Sequence, residues 1–206
     1  MKSVNVVIVD YSAGNLRSVE RAVARAGFEP LISGRPEDVA AADVLIVPGQ
    51  GAAADTMRNL RERHLVEPIR QHIDAGRPFL GVCMGLQALL SVSEEGGEHE
   101  CLGVIPGRVR RLPKGLKVPH MGWNQVHQRR SHPAFDGIPD GTYFYFVHSY
   151  YPDPEDGSVV IGETDYGLTF TCAVAIDGLV ATLFHPEKSG EAGLRFYENF
   201  LNRCRR

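Results

Sequence analysis

Two short stretches of this sequence carry residue types that could do chemistry together. Gly81-Val82-Cys83-Met84-Gly85 sets a thiol between two glycines, where the apolar run Phe79 to Val82 gives way to a helical pattern. A small-x-nucleophile-x-small spacing at a strand-to-helix junction is the mark of a nucleophile elbow, here with cysteine in place of serine. So sharp a turn brings neighbouring backbone against both flanks of the nucleophile and leaves no room for side chains at positions 81 and 85. The helix N-terminus beyond it offers a positive dipole end and free N–H groups, which favour thiolate over thiol. Taken alone, the five residues describe a buried structural cysteine between turn glycines equally well.

The second stretch is Phe184-His185-Pro186-Glu187. Residues two apart in extended chain point to the same side, and Pro186 holds the backbone extended, so Glu187 should lie beside His185. A carboxylate next to an imidazole fixes its tautomer and stabilises its protonated form, the third role in nucleophile, base and orienter logic. A lone histidine is more often a satisfied structural residue. With this carboxylate spacing, and a cysteine elbow elsewhere in the chain, His185 is a candidate base. The turn Pro48-Gly49-Gln50-Gly51 follows another apolar strand. Its backbone N–H groups, with that of Met84, are candidates for an oxyanion hole, in which one donor is typically worth about 2.7–4 kcal/mol of transition-state stabilisation. A plain tight turn would have the same backbone. A metal-site reading of His185 and Glu187 lacks further ligands at suitable spacing.

The elements that must position these groups alternate strand and helix. Val4 to Val9 reads as a buried strand, Leu16 to Ala26 as an amphipathic helix stopped by Gly27, Phe28 to Ile32 as a strand, Pro36 to Ala41 as a short helix and Val44 to Val47 as a strand. Helical patterns at Thr56 to Arg61 and Glu67 to Ala75 lead into the strand Phe79 to Val82, and a helix is expected from Met84 to Leu90. This order implies a parallel sheet covered on both faces, and its carboxyl edge would carry both Cys83 and the Gln50 turn. Beyond Glu98 the text turns β-rich: Val104 to Arg111, Tyr143 to Tyr151, Val159 to Thr164 and Ala173 to Phe184. Asp177-Gly178 between two apolar runs signals a hairpin, with the positive φ at both positions that a type I′ turn needs. A helix from about Ala192 to Arg203 closes the pattern. The expected fold class is α/β: a three-layer, flavodoxin-like, mainly parallel sheet extended by antiparallel hairpins, in one domain over residues 1–206.

The bulk numbers are consistent with that. With 206 residues, 43% hydrophobic and 23% charged, the chain suffices for one well-packed domain and is short for two. A formal net charge of -3, with cations scattered, disfavours nucleic acid or an anionic membrane as partner. No run approaches the ~20 apolar residues of a membrane span and the start lacks a signal-peptide arrangement, so a cytoplasmic protein is expected. Cys83, Cys101, Cys172 and Cys204 lie far apart without a C-x-x-C pair, which suggests reduced thiols and no metal.

These pieces in this order resemble the class I, triad-type glutamine amidotransferases: P-G-x-G, then G-x-C-x-G, then H-P-E. Further text narrows the likeness. Asp10-Tyr11 with Gly14-Asn15, Ser93-Glu94-Glu95, Lys117-Val118-Pro119-His120-Met121-Gly122-Trp123-Asn124, the run Tyr143 to Tyr151, and Phe184 to Ser189 are similar to the branch of glutaminase subunits that serve imidazole glycerol phosphate synthesis in histidine formation. The resemblance implies that Cys83 is the nucleophile, His185 the base and Glu187 its orienter, with Gln50, Gly51 and Met84 at the oxyanion hole. It implies glutamine binding by Gly49, Gln87, Glu95, Ser149 and Tyr150, and no cofactor. His148, between aromatic strand residues, reads as structural or pocket-lining. The implied partner is a (β/α)8-barrel cyclase subunit in a heterodimer, with Asn15, Trp123 and Lys188 as candidates for the facing surface; core packing of Trp123 fits the sequence nearly as well. Three departures stand out: the family leads one to expect a small apolar residue at Gln50 and a glutamine at Leu183, and Ser12-Ala13 loosen the first loop's glycine pattern. Alternative readings are another class I subunit, of anthranilate or pyridoxal phosphate synthesis, a cysteine peptidase on a similar sheet, and a binding module without catalysis.

Overall fold

In the computed structural model, which describes residues 4–205, two sheets share one apolar core. Residues 1–3 and 206 of the expected 1–206 unit lie outside the described residues. β1 (Val6–Val9) is four β-branched residues, all buried, as a strand covered on both faces requires. α1 (Leu16–Arg25) starts at Asn15, whose side chain accepts from Ser18 N–H, and buries Val19, Ala22 and Val23 on one face. β2 (Pro30–Ser33), α2 (Pro36–Ala40) and β3 (Val44–Gly49) follow, then α3 (Ala53–Glu62), α4 (Val66–Asp74) and β4 (Phe79–Cys83). The sequence reading found each of these elements, with ends that differ by up to three residues.

The helix expected over Met84 to Leu90 is shorter. α5 (Met84–Gln87) is a single turn, and Leu90–Ser93 is a strand, β5. The Leu-Ser-Val-Ser alternation pairs with β7 (Ile105–Arg111), and that ladder outweighs continuation of the helix. β5, β6 (His99–Glu100), β7 and β10 (Tyr150–Pro154) form a four-stranded second sheet in the order β10-β7-β5-β6, which the sequence reading did not separate from the first. The run Tyr143 to Tyr151, expected as one strand, is two: β9 (Thr142–His148) belongs to the main sheet and β10 to the second, with Ser149 between them. Ser149 is held at the crossover because its carbonyl accepts from Leu112 N–H at 3.0 Å. β8 (His120–Gln128), on the block Lys117 to Asn124 and beyond, is a further strand that the reading left unassigned.

β11 (Val160–Asp165), β12 (Thr169–Ile176) and β13 (Leu179–Thr182) complete the nine-stranded main sheet, ordered β2-β1-β3-β4-β13-β12-β11-β8-β9. From β2 to β13 neighbours run parallel, and from β13 to β9 antiparallel. The expected β12–β13 hairpin is present, with Ile176 opposite Leu179, but its turn is not type I′. Only Asp177 has positive φ, at 48°. Glycine is required at 178 for a different reason: a Cβ there would stand 2.5 Å from the Gly76 carbonyl oxygen. α6 (Gly190–Asn202) buries Phe196, Tyr197, Phe200 and Leu201, with Phe196 in edge contact with Phe184 at 5.8 Å and Phe135 at 5.3 Å. Of the helices, α1 packs on α6 and α2 on α4, giving the three-layer α/β arrangement. No helix among the described residues is long and apolar enough to cross a membrane.

Candidate active site

Two parallel neighbours in the middle of the main sheet deliver the two reactive groups. β4 ends at Cys83, and β13, paired to it from Leu179↔Phe79 to Thr182↔Val82, leads through Leu183 and Phe184 to His185. Cys83 sits at φ 55°, ψ −101°, a conformation that costs a non-glycine residue about 1–3 kcal/mol and aims its side chain off the sheet edge. The flanking glycines meet the expected crowding. A Cβ on Gly85 would lie 1.9 Å from the Val47 carbonyl oxygen, and one on Gly81 would lie 2.8 Å from that of Gly85. With α5 only four residues long, its dipole is weak, and local N–H groups are what the turn offers the thiol.

His185 donates from Nδ1 to Glu187 Oε1 at 2.8 Å, and the two side chains are 2% and 3% exposed. The backbone here is not extended as expected, because Pro186–Lys188 forms a 3-10 turn, yet the pairing survives. The turn is pinned to β9: His185 N–H donates to the Tyr145 carbonyl at 2.9 Å, Tyr145 N–H to Ser189 Oγ at 3.0 Å, and Ser189 Oγ to the His185 carbonyl at 2.6 Å. Burial pulls the imidazole pKa down, but Cys83 and Glu187 outweigh it and hold His185 up at about 9. Its Nε2 has no partner at ordinary hydrogen-bond distance, and the Cys83 thiol is the neighbour that, with Glu187, favours its protonated form. A thiol, an imidazole and a carboxylate behind it are therefore assembled, with the charged form of the imidazole stabilised.

Cys83 and His185 open into a pocket of about 530 Å³, lined also by Gln50, Gly51, Met84, Gln87, Glu95, Pro119, Tyr145, Val147, His148, Ser149, Tyr150 and Lys188. Gln50, Gly51 and Met84 thus line the same pocket as Cys83, with Gly51 at φ 99°. Gly49 does not line the pocket. It is buried opposite Cys83 in the β3–β4 ladder, where a Cβ would stand 2.2 Å from the Tyr11 hydroxyl and 2.6 Å from Met84 Cβ. Gln87 lines the pocket and is buried with its Oε1, an acceptor, unpartnered. Besides lining the pocket, Glu95 accepts at Oε2 from Ala53 N–H at 2.7 Å and so caps α3 directly after the Gln50–Gly51 turn.

Of the three residues expected on a partner-facing surface, Lys188 lines the pocket, its Nζ 5.9 Å from the Tyr145 ring centroid. Asn15 is exposed and caps α1. Trp123 is 55% exposed, not core, and lies opposite Tyr145 in the β8–β9 ladder with Met121 (62%) and Tyr143 (54%) beside it. The sequence reading missed Pro119, Tyr145 and Val147 as pocket residues. Tyr145 and Val147 share a face of β9 by two-residue alternation, a signal that becomes readable only once His148 is placed on the adjoining wall.

Residues 7–204 match the family described as Glutamine amidotransferase class-I. Among curated relatives, the imidazole glycerol phosphate synthase subunit HisH of Syntrophotalea carbinolica is 50% identical over 202 residues, covering 95% of this chain and 98% of that one. Its counterparts in Dehalococcoides mccartyi (49%, covering 95% and 96%) and Aquifex aeolicus (48%, covering 96% and 96%) are about as similar. Among solved structures, a glutamine amidotransferase superposes with a TM-score of 0.76 at 21% identity, covering 98% of this chain and 99% of that one. A chain of PurLQS from Thermotoga maritima superposes with 0.74 at 16%, with the same coverage, and at these identities the likeness speaks to the fold.

Proposed function

The chain belongs to the class I glutamine amidotransferase family, among the HisH subunits of imidazole glycerol phosphate synthase, and from that membership we propose how it works. It is a glutaminase that hydrolyses glutamine to glutamate and ammonia for histidine biosynthesis. Residues 1–206 act as one amidotransferase domain, in the cytoplasm, in a heterodimer with a (β/α)8-barrel cyclase subunit. The cyclase joins the nitrogen to a ribulosylated aminoimidazole carboxamide ribotide, giving imidazole glycerol phosphate and the corresponding carboxamide ribotide. Ammonia released into neutral water would mostly protonate and lose its nucleophilicity, so the two subunits work in contact.

In this reading the Cys83 thiolate attacks the side-chain amide carbon of glutamine, and the carbonyl oxygen, now negative, is met by N–H groups of the Gln50–Gly51 turn and Met84. His185 gives a proton to the departing nitrogen, so ammonia leaves and a glutamyl thioester remains. His185 then takes a proton from water, whose oxygen attacks the thioester, and glutamate departs as the Cys83 thiolate and protonated His185 are restored. Glu187 stabilises the imidazolium in both halves. Gln87, Glu95, Ser149 and Tyr150 hold glutamine, and Asn15 and Trp123 face the cyclase. The observation that carries this reading is the meeting of Cys83 and the Glu187-bound His185 in one pocket.

The test is glutamate release from glutamine by the chain alone and mixed with a barrel-type cyclase plus its ribotide, with Cys83→Ala as control. The expected result is strong stimulation by the loaded cyclase that the control abolishes. Activity indifferent to the cyclase would remove the pathway assignment, and peptide hydrolysis without glutaminase activity would replace the reading with a cysteine peptidase.

A further inference from the structure

A line of hydrogen bonds runs from β8 to the pocket wall, and its proton positions follow from its end. The Tyr150 carbonyl can only accept, so the 2.9 Å bond from His148 puts that ring's proton on Nδ1 and leaves Nε2 an acceptor. His120, 2.9 Å away through Nδ1, must then be the donor to it. The remaining nitrogen of His120, Nε2, accepts from the Asn124 amide at 3.3 Å, and the same amide nitrogen donates at 2.7 Å to the Asp165 carbonyl. Asn124 Oδ1 accepts from Gln125 N–H at 2.8 Å, which fixes which end of the amide points to His120. One assignment of protons satisfies every group along the line.

The rings have little freedom to turn away from it. His120 stacks on Tyr166 at 4.0 Å and on Phe146 at 5.0 Å, and both histidines are buried. Burial keeps them neutral, His120 down at about 4 and His148 at about 3, the state in which each ring offers one donor and one acceptor. His148, Ser149 and Tyr150 line the pocket and His120 does not. Ser149 is also where the chain leaves one sheet for the other, between β9 and β10, and the His148–Tyr150 bond spans that crossover.

We propose that His120 is a positioning residue for glutamine: by donating to His148 it fixes the tautomer whose Nδ1–H grips Tyr150, and so sets the Ser149–Tyr150 wall against which the substrate lies. This rests on the pocket being a glutamine site. Contact with substrate is left to the wall, and His120 acts through His148.

The test is the dissociation constant for glutamine, by calorimetry, in a Cys83→Ala background carrying His120→Asn, His120→Phe or His120→Gln. Asparagine sets an amide donor near the place of Nδ1, phenylalanine keeps the stacking without a donor, and glutamine sends its amide to the Nε2 side. Loss of one donor to a buried acceptor should weaken binding about tenfold in the Phe and Gln variants, with Asn within about threefold of the parent. With Cys83 restored and the cyclase present, KM for glutamine should rise by the same factor while kcat stays within about threefold. Thermal melting identifies any variant that fails to fold, and the Gln variant then carries the comparison. Unchanged binding in the Phe and Gln variants, or equal weakening in all three, would overturn the proposal, the latter by showing ring packing to be what matters. A parent Cys83→Ala chain that takes up no glutamine would instead defeat the reading of the pocket, and the proposal with it.

Discussion

At the scale of single residues, the His185–Glu187 pair decides more than the reaction. In the unfolded chain an imidazole titrates near 6.5, and in the folded one Cys83 and Glu187 hold it, against burial, at about 9. A raised pKa means that the folded state binds the proton more tightly, so this stabilisation is complete below pH 6.5 and is lost as pH rises through about 9. Glu187→Gln removes one source of it. Urea unfolding should therefore show the wild type ahead of Glu187→Gln at pH 6 by a margin that narrows towards pH 9, and a margin that widened with pH would contradict the assignment. The same variant should lower kcat for glutamine hydrolysis by about 10²–10⁴-fold, because an amide cannot stabilise the imidazolium. The meeting of Cys83 with the His185–Glu187 pair was legible in sequence because each part is a short-range pattern: a thiol between glycines, and a carboxylate two residues from a histidine. Glu95's bond to Ala53 was not, since it spans residues distant in sequence and neither position signals the other.

At the scale of elements, the elbow depends on the first turn of α5 lying so close to β3 that position 85 has no room for a side chain. Gly85→Ala would drive a methyl group into the Val47 carbonyl, which is backbone in the middle of a sheet and cannot step aside. The variant should lose at least the roughly 1–3 kcal/mol typical of overpacking, read as a lowered urea midpoint, and should lose glutaminase activity wherever it still folds. A stable, active Gly85→Ala would mean that the turn is looser than this geometry. The alternating βα half of the molecule was legible because buried parallel strands are continuous apolar runs, such as Val6–Val9, broken by helices with their own period. The second sheet was not legible. β5, β7 and β10 each carry strand patterning, but pairing partners are chosen by three-dimensional packing, and nothing local in Tyr143 to Tyr151 says that the chain changes sheets at Ser149. At Asp177–Gly178 the hairpin was readable and its turn type was not, because the demand for glycine comes from the Gly76 backbone and not from the turn itself.

At the scale of the whole molecule, the β8–β9 ladder turns one face to solvent with Met121, Trp123 and Tyr143 on it, while Tyr145 beside them reaches the pocket. Large apolar side chains exposed together mark a surface that another protein covers, and tryptophan is a frequent anchor there. Trp123→Ala should weaken binding of the cyclase by on the order of 2 kcal/mol, about 30-fold, with circular dichroism and melting temperature unchanged. Since Trp123 is the chain's single tryptophan, its fluorescence reports the encounter in the wild type, and unaltered affinity in the variant would move the docking surface elsewhere. The sheet order has a consequence for how the protein comes into being. β13 occupies the slot between β4 and β12, so the strand that brings His185 enters the centre of a sheet whose other parallel members precede it in the chain. While the ribosome is still adding residues, Cys83 has emerged and its base has not. For about half the length of the chain Cys83 therefore exists without His185, and the proposed pair is assembled only when β13 takes its place beside β4.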